Sequence, residues 1–382
     1  MSLGKSLRSL LDTRTLVKDV ARAGNLRVIA ALVGPALRGL RLRAGERPEA
    51  SEIQLQHRVH FDWTYDRDLA EMARLFEAAK VSQWNATTAL DWSQSVDPLD
   101  PQRPLLPDEF MPVATLPSWR RLTDSEKAAQ RHGLLSWILS QFLHGEQGAL
   151  FAAAQVTEAV PWLDAKLYGS TQVADEGRHV QVLQQYLSAK LEKTYRIDEN
   201  LYVIIDALMT DRRWDLKFLG MQIMIEGLAL GAFGTMRKVT PEPLLRKIFE
   251  YLITDEARHV HYGVLALRKF YEEELSPREK EERAAWAFEI SVLLRNRFLA
   301  HEFYDEYYGH QMSRAQWDRL VSGSHLVGVF RETMFRRIIP NLREIGLITA
   351  RTRPLYRELG LLEFEGGKPA PQLTAAQMLE DA

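Results

Sequence analysis

Two short phrases decide the fold: Asp175-Glu176-Gly177-Arg178-His179-Val180 and Asp255-Glu256-Ala257-Arg258-His259-Val260. They differ at one position only. Both sit in long segments rich in Ala, Leu, Glu, Lys, Arg and Gln, which favour helix. Glu and His three positions apart on a helix project from one face about one turn apart, so each pair can grip a metal ion from the same side. A single Glu-x-x-His arises by chance in many helices. A repeat of it asks for partners.

The partners are present at a matching offset. Glu146 precedes Glu176 by the same interval as Glu226 precedes Glu256, so all three ligand positions recur in one register. In an antiparallel helix hairpin, residues that face each other are about equally distant from the turn. The midpoints of the two spans fall at Pro161 and Pro241, followed by Trp162 and by Glu242-Pro243. Proline fits the first turn of a helix and breaks its interior. Each hairpin thus offers one Glu from its first helix and a Glu/His pair from its second. Two hairpins bring together four carboxylates and two imidazoles, the donor set of a dinuclear carboxylate site in a four-helix bundle. Two divalent cations neutralise the four negative charges. Without metal, so much buried like charge would raise some of the carboxylate pKa values.

Composition narrows the chemistry. The 382 residues are 46% hydrophobic and 26% charged, ample for a buried core. A formal net charge of −2 gives no nucleic-acid signature. The absence of cysteine excludes disulfides, thiolate zinc sites, iron–sulfur clusters and cysteine nucleophiles. Electrons, if the chemistry needs them, come from an external donor. Leu26–Leu37 is apolar but interrupted by Arg27 and Pro35 and too short to span a bilayer, and no secretory h-region precedes it. A cytoplasmic enzyme is expected.

The two Asp-Glu-x-Arg-His phrases, each with its upstream Glu at the same interval, resemble those of the ferritin-like di-iron carboxylate oxygenases and oxidases. That superfamily includes the multicomponent monooxygenase hydroxylases, the ribonucleotide reductase small subunit and the acyl-carrier-protein desaturases. The resemblance covers roughly residues 120–275. It implies an all-α fold: a ferritin-like four-helix bundle carrying the dinuclear site, with extra N- and C-terminal helices. It also implies two Fe ions, or Mn/Fe, with O2 as co-substrate. Glu146, Glu176 and His179 would serve one ion and Glu226, Glu256 and His259 the other, with some carboxylates bridging. Asp175 and Asp255 would each bond the His of the opposite hairpin, with Arg178 and Arg258 completing the network.

Specialised subgroups differ at single positions. Leu183 stands where the reductases place a radical tyrosine, and Ala149 and Met221 where certain oxidases cross-link Val to Tyr. Leu252 stands where arylamine N-oxygenases carry an extra His. Leu230 and Ala229 stand where multicomponent monooxygenases and desaturases place Thr. Each departure counts against that subgroup and none against the metal site.

Small and apolar residues surround the ligands: Ala149, Leu150 and Ala153 after Glu146, and Ala229, Leu230 and Phe233 after Glu226, interspersed with Gly227, Gly231 and Gly234. Helical glycine costs about 1 kcal/mol relative to alanine, so three so close together need a reason. They serve either close helix packing or a substrate space beside the metals. The expected function is an O2-activating di-iron oxygenase that hydroxylates, N-oxygenates or desaturates a small, apolar organic substrate. The alternatives are a two-electron oxidase or radical generator of the reductase lineage, and a non-catalytic iron-binding or iron-sequestering protein.

Around this bundle, assigned to 119–310, the chain divides further. Residues 1–50 form a basic segment, with ten Lys or Arg against three Asp or Glu up to Arg47 and apolar residues at roughly helical spacing. It is read either as a helix packed on the main body or as a peripheral membrane contact through 1–47. Residues 51–118 hold a helix near 67–80 and a partly buried loop rich in Trp and Pro. Residues 311–365 hold two helices, around Trp317 and from Phe330 to Ile345, and 366–382 form a mobile tail. A homodimer is compatible with all of this.

Overall fold

The computed structural model describes residues 33–34, 58–67, 69–296, 298–374 and 376–377. The N-terminal basic segment lies outside the described residues, apart from Val33 and Gly34. Among the described residues there are helices and turns and no strands.

Four long helices form the centre. Helix α3, Asp124–Ala159, starts with a reciprocal cap: the Thr123 hydroxyl accepts from the Glu126 N–H, and the Glu126 carboxylate accepts from the Thr123 N–H. It is preceded by α1, Ala70–Val81, and the one-turn α2, Pro117–Arg121. The chain turns through Val160–Trp162 and returns as α4, Leu163–Tyr186. After α5, Glu199–Thr210, a helical stretch runs Trp214–Val239, here α6. It turns at Thr240–Glu242 into α7, Pro243–Glu273. The Glu242 carboxylate accepts from the Leu244 and Leu245 N–H groups, and Pro243 takes the first helical position, where its missing N–H costs nothing. Both turns fall at the positions marked by Pro161 and Pro241.

Helices α3 and α4 pack as one hairpin and α6 and α7 as the other, and α4 meets α7 between them. The outer layer comprises α1 against α4 and α7, α8 (Pro277–Asn296) against α5 and α6, and α9 (His301–Tyr307) against α3. Helix α10, Arg314–Ser322, leads into α11, His325–Glu344, which lies along α6.

This last contact accounts for two glycines of α6. A Cβ on Gly231 would sit 2.7 Å from the backbone oxygen of Thr333 on α11, and one on Gly227 would sit 3.3 Å from Ile338 Cγ1. These two serve helix approach, not a cavity. The α6 stretch is long and apolar enough to cross a membrane, but 94% of its most apolar window is buried in the bundle.

Two expectations change in the C-terminal region. A third helix, α12, Arg353–Glu358, follows the two that periodicity shows; it is too short to display a repeat. The segment from residue 366 is docked at its start: Ala370 is buried and its N–H donates to Asn341 Oδ1 at 2.8 Å, while Arg343 donates to the Gly367 carbonyl. Paired backbone groups hold this stretch against α11 where composition alone suggests a free tail.

Candidate metal centre

Glu146 comes from α3, Glu176 and His179 from α4, Glu226 from α6, and Glu256 and His259 from α7. All six are buried, none more than 4% exposed. The two imidazoles stand 5.9 Å apart between ring centroids and turn their Nδ1 atoms inward. His179 Nδ1 lies 3.1 Å from Glu146 Oε2, 3.4 Å from Glu176 Oε2 and 3.2 Å from Glu256 Oε1. His259 Nδ1 lies 3.2 Å from Glu176 Oε1, 3.7 Å from Glu226 Oε2 and 3.4 Å from Glu256 Oε2.

Both Glu176 and Glu256 therefore turn one oxygen to each imidazole, the arrangement of a carboxylate that spans two ions. Two groups have ligand atoms within 4.8 Å of one another and are able to hold a metal: Glu146, Glu176, His179 and Glu256, and Glu176, Glu226 and His259. Glu176 belongs to both.

The polar atoms fit metal. Glu176 Oε2, Glu226 Oε2, both oxygens of Glu256 and His259 Nδ1 are buried without a hydrogen-bond partner. Buried polar atoms are almost always paired, and five orphans converging on one point are what a pair of cations resolves. Without cations, burial, then repulsion from Glu256, pushes the Glu146 carboxyl up to about 8. Burial, then the charge of Glu176, raises Glu226 well above the usual range. Burial acts upward on Glu176 too, but the two imidazoles outweigh it and hold that carboxyl well below the ordinary value.

Outward of the imidazoles lies a carboxylate layer. His179 Nε2 meets Asp255 Oδ2 at 3.1 Å and His259 Nε2 meets Asp175 Oδ2 at 3.3 Å, so each hairpin's His reaches the other hairpin's Asp. Arg178 ties the two together, donating to Asp175 Oδ1 at 2.5 Å and to Asp255 Oδ2 at 3.0 Å. Arg258 donates to Asp255 and lies 3.7 Å from Asp175.

The loop after α1 completes the layer, which residue patterns did not show. Trp84 Nε1 donates to Asp255 Oδ2 at 2.8 Å, and Gln83 Nε2 donates to Asp175 Oδ1 at 2.8 Å. The Trp84 ring stacks on Tyr251, and the Arg178 guanidinium lies 4.8 Å from it. The sequence signal for this was only a loop rich in Trp, whose large rings are costly to leave exposed.

Asp255 Oδ2 thus faces three donors; against burial, the bond and charge of His179, then the charge of Arg258 and the Trp84 N–H, hold its carboxyl far below the usual carboxylate range. Asp255→Asn turns an amide toward these donors. We expect metal affinity or turnover to fall about 10–100-fold with helicity unchanged. Wild-type values for both, by chelator competition and steady-state assay, would return Asp255 to an ordinary structural role.

On the side away from the imidazoles, a narrow recess opens between Glu146 and Glu226. It is lined by Phe142, Gly145, Ala149, Ile225, Leu228, Ala229 and Phe233. Of the expected pocket residues, Ala149, Ala229 and Phe233 line it. Leu150, Ala153 and Leu230 do not: Ala153 and Leu230 are buried in helix packing and Leu150 is half-buried. The recess has room for about one water molecule. Within α6, Leu219–Ile225 winds as π-helix and returns to α-helix at Glu226, whereas α3 stays α-helical through Glu146. π-Turns favour functional positions, and this one ends directly before the ligand Glu226.

A family model described as p-aminobenzoate N-oxygenase AurF matches residues 67–346, which contain the whole bundle. The chain belongs to that family. This family member is an O2-activating, non-haem di-iron oxidoreductase acting on a small molecule. The weight given to Leu252 is corrected by the match. One position without its histidine does not remove the chain from the family, and Leu252 is fully buried in α7 as part of the core. No curated protein matches this family member.

Among solved structures, an R2-like ligand-binding oxidase variant with an anaerobically reconstituted Mn/Fe cofactor is similar at 18% identity. The match covers 69% of this chain and 92% of that one, with a TM-score of 0.42. An aerobically reconstituted variant is similar at 16% identity, covering 75% and 99%, with a TM-score of 0.45.

Proposed function

We propose that this protein N-oxygenates a small aromatic amine beside a metal pair held by Glu146, Glu176, His179, Glu226, Glu256 and His259. The observation that supports this most is the convergence of buried, partnerless carboxylate and imidazole atoms in a member of an N-oxygenase family. The metal pair supplies O2 binding and two-electron redox chemistry. The overall change, aryl-NH2 plus O2 plus two electrons and two protons giving aryl-NHOH plus water, balances with an external electron donor. Phe142 and Phe233, edge to face at 5.0 Å, offer aromatic walls to an aryl ring and keep water away from it. Asp175 and Asp255 fix the imidazole orientations.

The reading is tested with iron-loaded protein, a chemical reductant and 18O2, using 4-aminobenzoate and aniline as probes. An 18O-labelled hydroxylamine is expected. O2 consumption without N-oxygenated product across a panel of aryl amines would overturn N-oxygenation, and a C-hydroxylated product would move the reaction to carbon.

Metal loading should depend on pH. Glu146 and Glu226 hold protons in the metal-free site and must release them to act as ligands. Affinity is therefore expected to tighten as pH rises from about 6 to 9, with proton release on loading. Calorimetry in buffers of different ionisation enthalpy measures both, and an affinity flat across that range would count against protonated ligands.

We further propose a cytoplasmic protein that receives electrons from a separate donor, forms a homodimer, and touches anionic surfaces through residues 1–47. Equal retention on anionic vesicles with and without those residues would remove the last of these.

A further inference from the structure

The repeat that relates the two hairpins is broken in one part of the site. Four residues before Glu176 stands Gln172, whereas four before Glu256 stands Leu252. Four before Glu226 stands Gln222, whereas four before Glu146 stands Phe142. Four after His259 stands Gly263, whereas four after His179 stands Leu183. All three differences fall on residues within one helical turn of a ligand.

They form one arrangement in space. Gln172 is fully buried, and its Nε2 donates to Glu226 Oε1 at 2.8 Å and to Glu176 Oε1 at 3.1 Å. An amide NH2 carries two protons, so both bonds form at once, to carboxylates from two different helices. The other oxygens of those carboxylates, Glu176 Oε2 and Glu226 Oε2, have no hydrogen-bond partner.

Gln222, also fully buried, backs the clamp: its Nε2 approaches Gln172 Oε1 at 3.4 Å. Gly263 makes room for it, since a Cβ there would lie 2.5 Å from Gln222 Cβ. In the other half, Leu252 has no donor, and both oxygens of Glu256 are unpartnered.

We propose that Gln172, backed by Gln222, is a positioning residue that makes the two metal positions unequal. By fixing Glu176 and Glu226, it preorganises the position beside His259, which binds its ion more tightly than the position beside Glu146 and His179. The inference rests on the ligand set proposed above. A carboxylate already held by a donor loses less freedom when it takes up a cation, and only one half of the site has that donor. The expected consequence is ordered loading, with the His259 position filled first.

The test is anaerobic Fe(II) titration of the full-length protein with chelator competition, followed by Mössbauer spectroscopy of protein loaded with one equivalent of 57Fe. Wild type should show two unequal affinities and, at one equivalent, one dominant ferrous signal. Q172L should weaken the tighter equivalent about 10–100-fold, leave the other within about threefold, and spread one equivalent of iron over both signals. Two equal affinities in wild type, or Q172L weakening both equivalents alike or neither, would overturn the proposal. Q222L leaves every carboxylate contact in place and should weaken the same equivalent by a smaller factor. If Q172L does not fold, Q222L decides, and unchanged affinities overturn the proposal. Failure of the ligand set itself is separable: His259→Ala retaining both ions would show it whatever the glutamine variants do.

Discussion

Replacing His259 or Glu176 by alanine is expected to remove at least one of the two bound metal ions and to abolish turnover. Glu176 turns an oxygen toward each imidazole, so its loss takes a ligand from both positions; its replacement should be the more severe. His259 belongs to one group, and its loss should leave an ion beside Glu146 and His179. Elemental analysis of iron-loaded, desalted protein measures this directly, with circular dichroism to show that the helices persist. Two unchanged equivalents in both variants would sink the ligand assignment, and with it the functional reading.

The second large effect concerns the recess. Ala229 lies three residues after Glu226 and Ala149 three after Glu146, and both line the space between those glutamates. Because that space admits about one water, a larger side chain closes it, at a packing cost of about 1–3 kcal/mol. Ala229 is the better site, since at 9% exposure it is less tightly enclosed than Ala149 at 3%. Ala229→Leu should keep two irons and still consume O2 when reduced, while product formation falls at least about tenfold, the effect of roughly 1.4 kcal/mol on a barrier. Peroxide release would mark the uncoupling. Loss of iron together with a lower melting temperature would instead assign Ala229 to packing. Gly231 cannot serve this test, because its Cβ would strike the α11 backbone.

The site's polar surroundings explain why such variants are informative. The imidazoles are anchored from outside by Asp175 and Asp255, which are tied to Arg178, Arg258, Gln83 and Trp84. A change in the recess leaves those bonds intact, so metal retention and substrate coupling can be separated. Gln172, by contrast, touches the ligand carboxylates and not the imidazoles, so its replacement acts on metal affinity itself.

The sequence by itself determined the helical class, the two hairpins and the type of chemistry. These depend on local geometry: Glu and His three apart share a helical face wherever the helix lies, and proline midway between two paired ligands marks a turn. The absence of cysteine removed whole classes of chemistry without any structure. Family membership ran against the reading of Leu252, since one substituted position carries less than a match across residues 67–346.

Tertiary structure alone decided the rest. Trp84 meets Asp255 from far along the chain, and nothing local to either predicts that bond, because it forms only when α1 has docked on α4 and α7. Whether a small residue makes a cavity or a helix contact depends on what faces it: α11 faces Gly231, and the recess faces Ala229. Gln172 stood on the ligand face of its helix and could have been read there. Only the approach of Glu226 from another helix turns it from a buried amide into a clamp on two carboxylates.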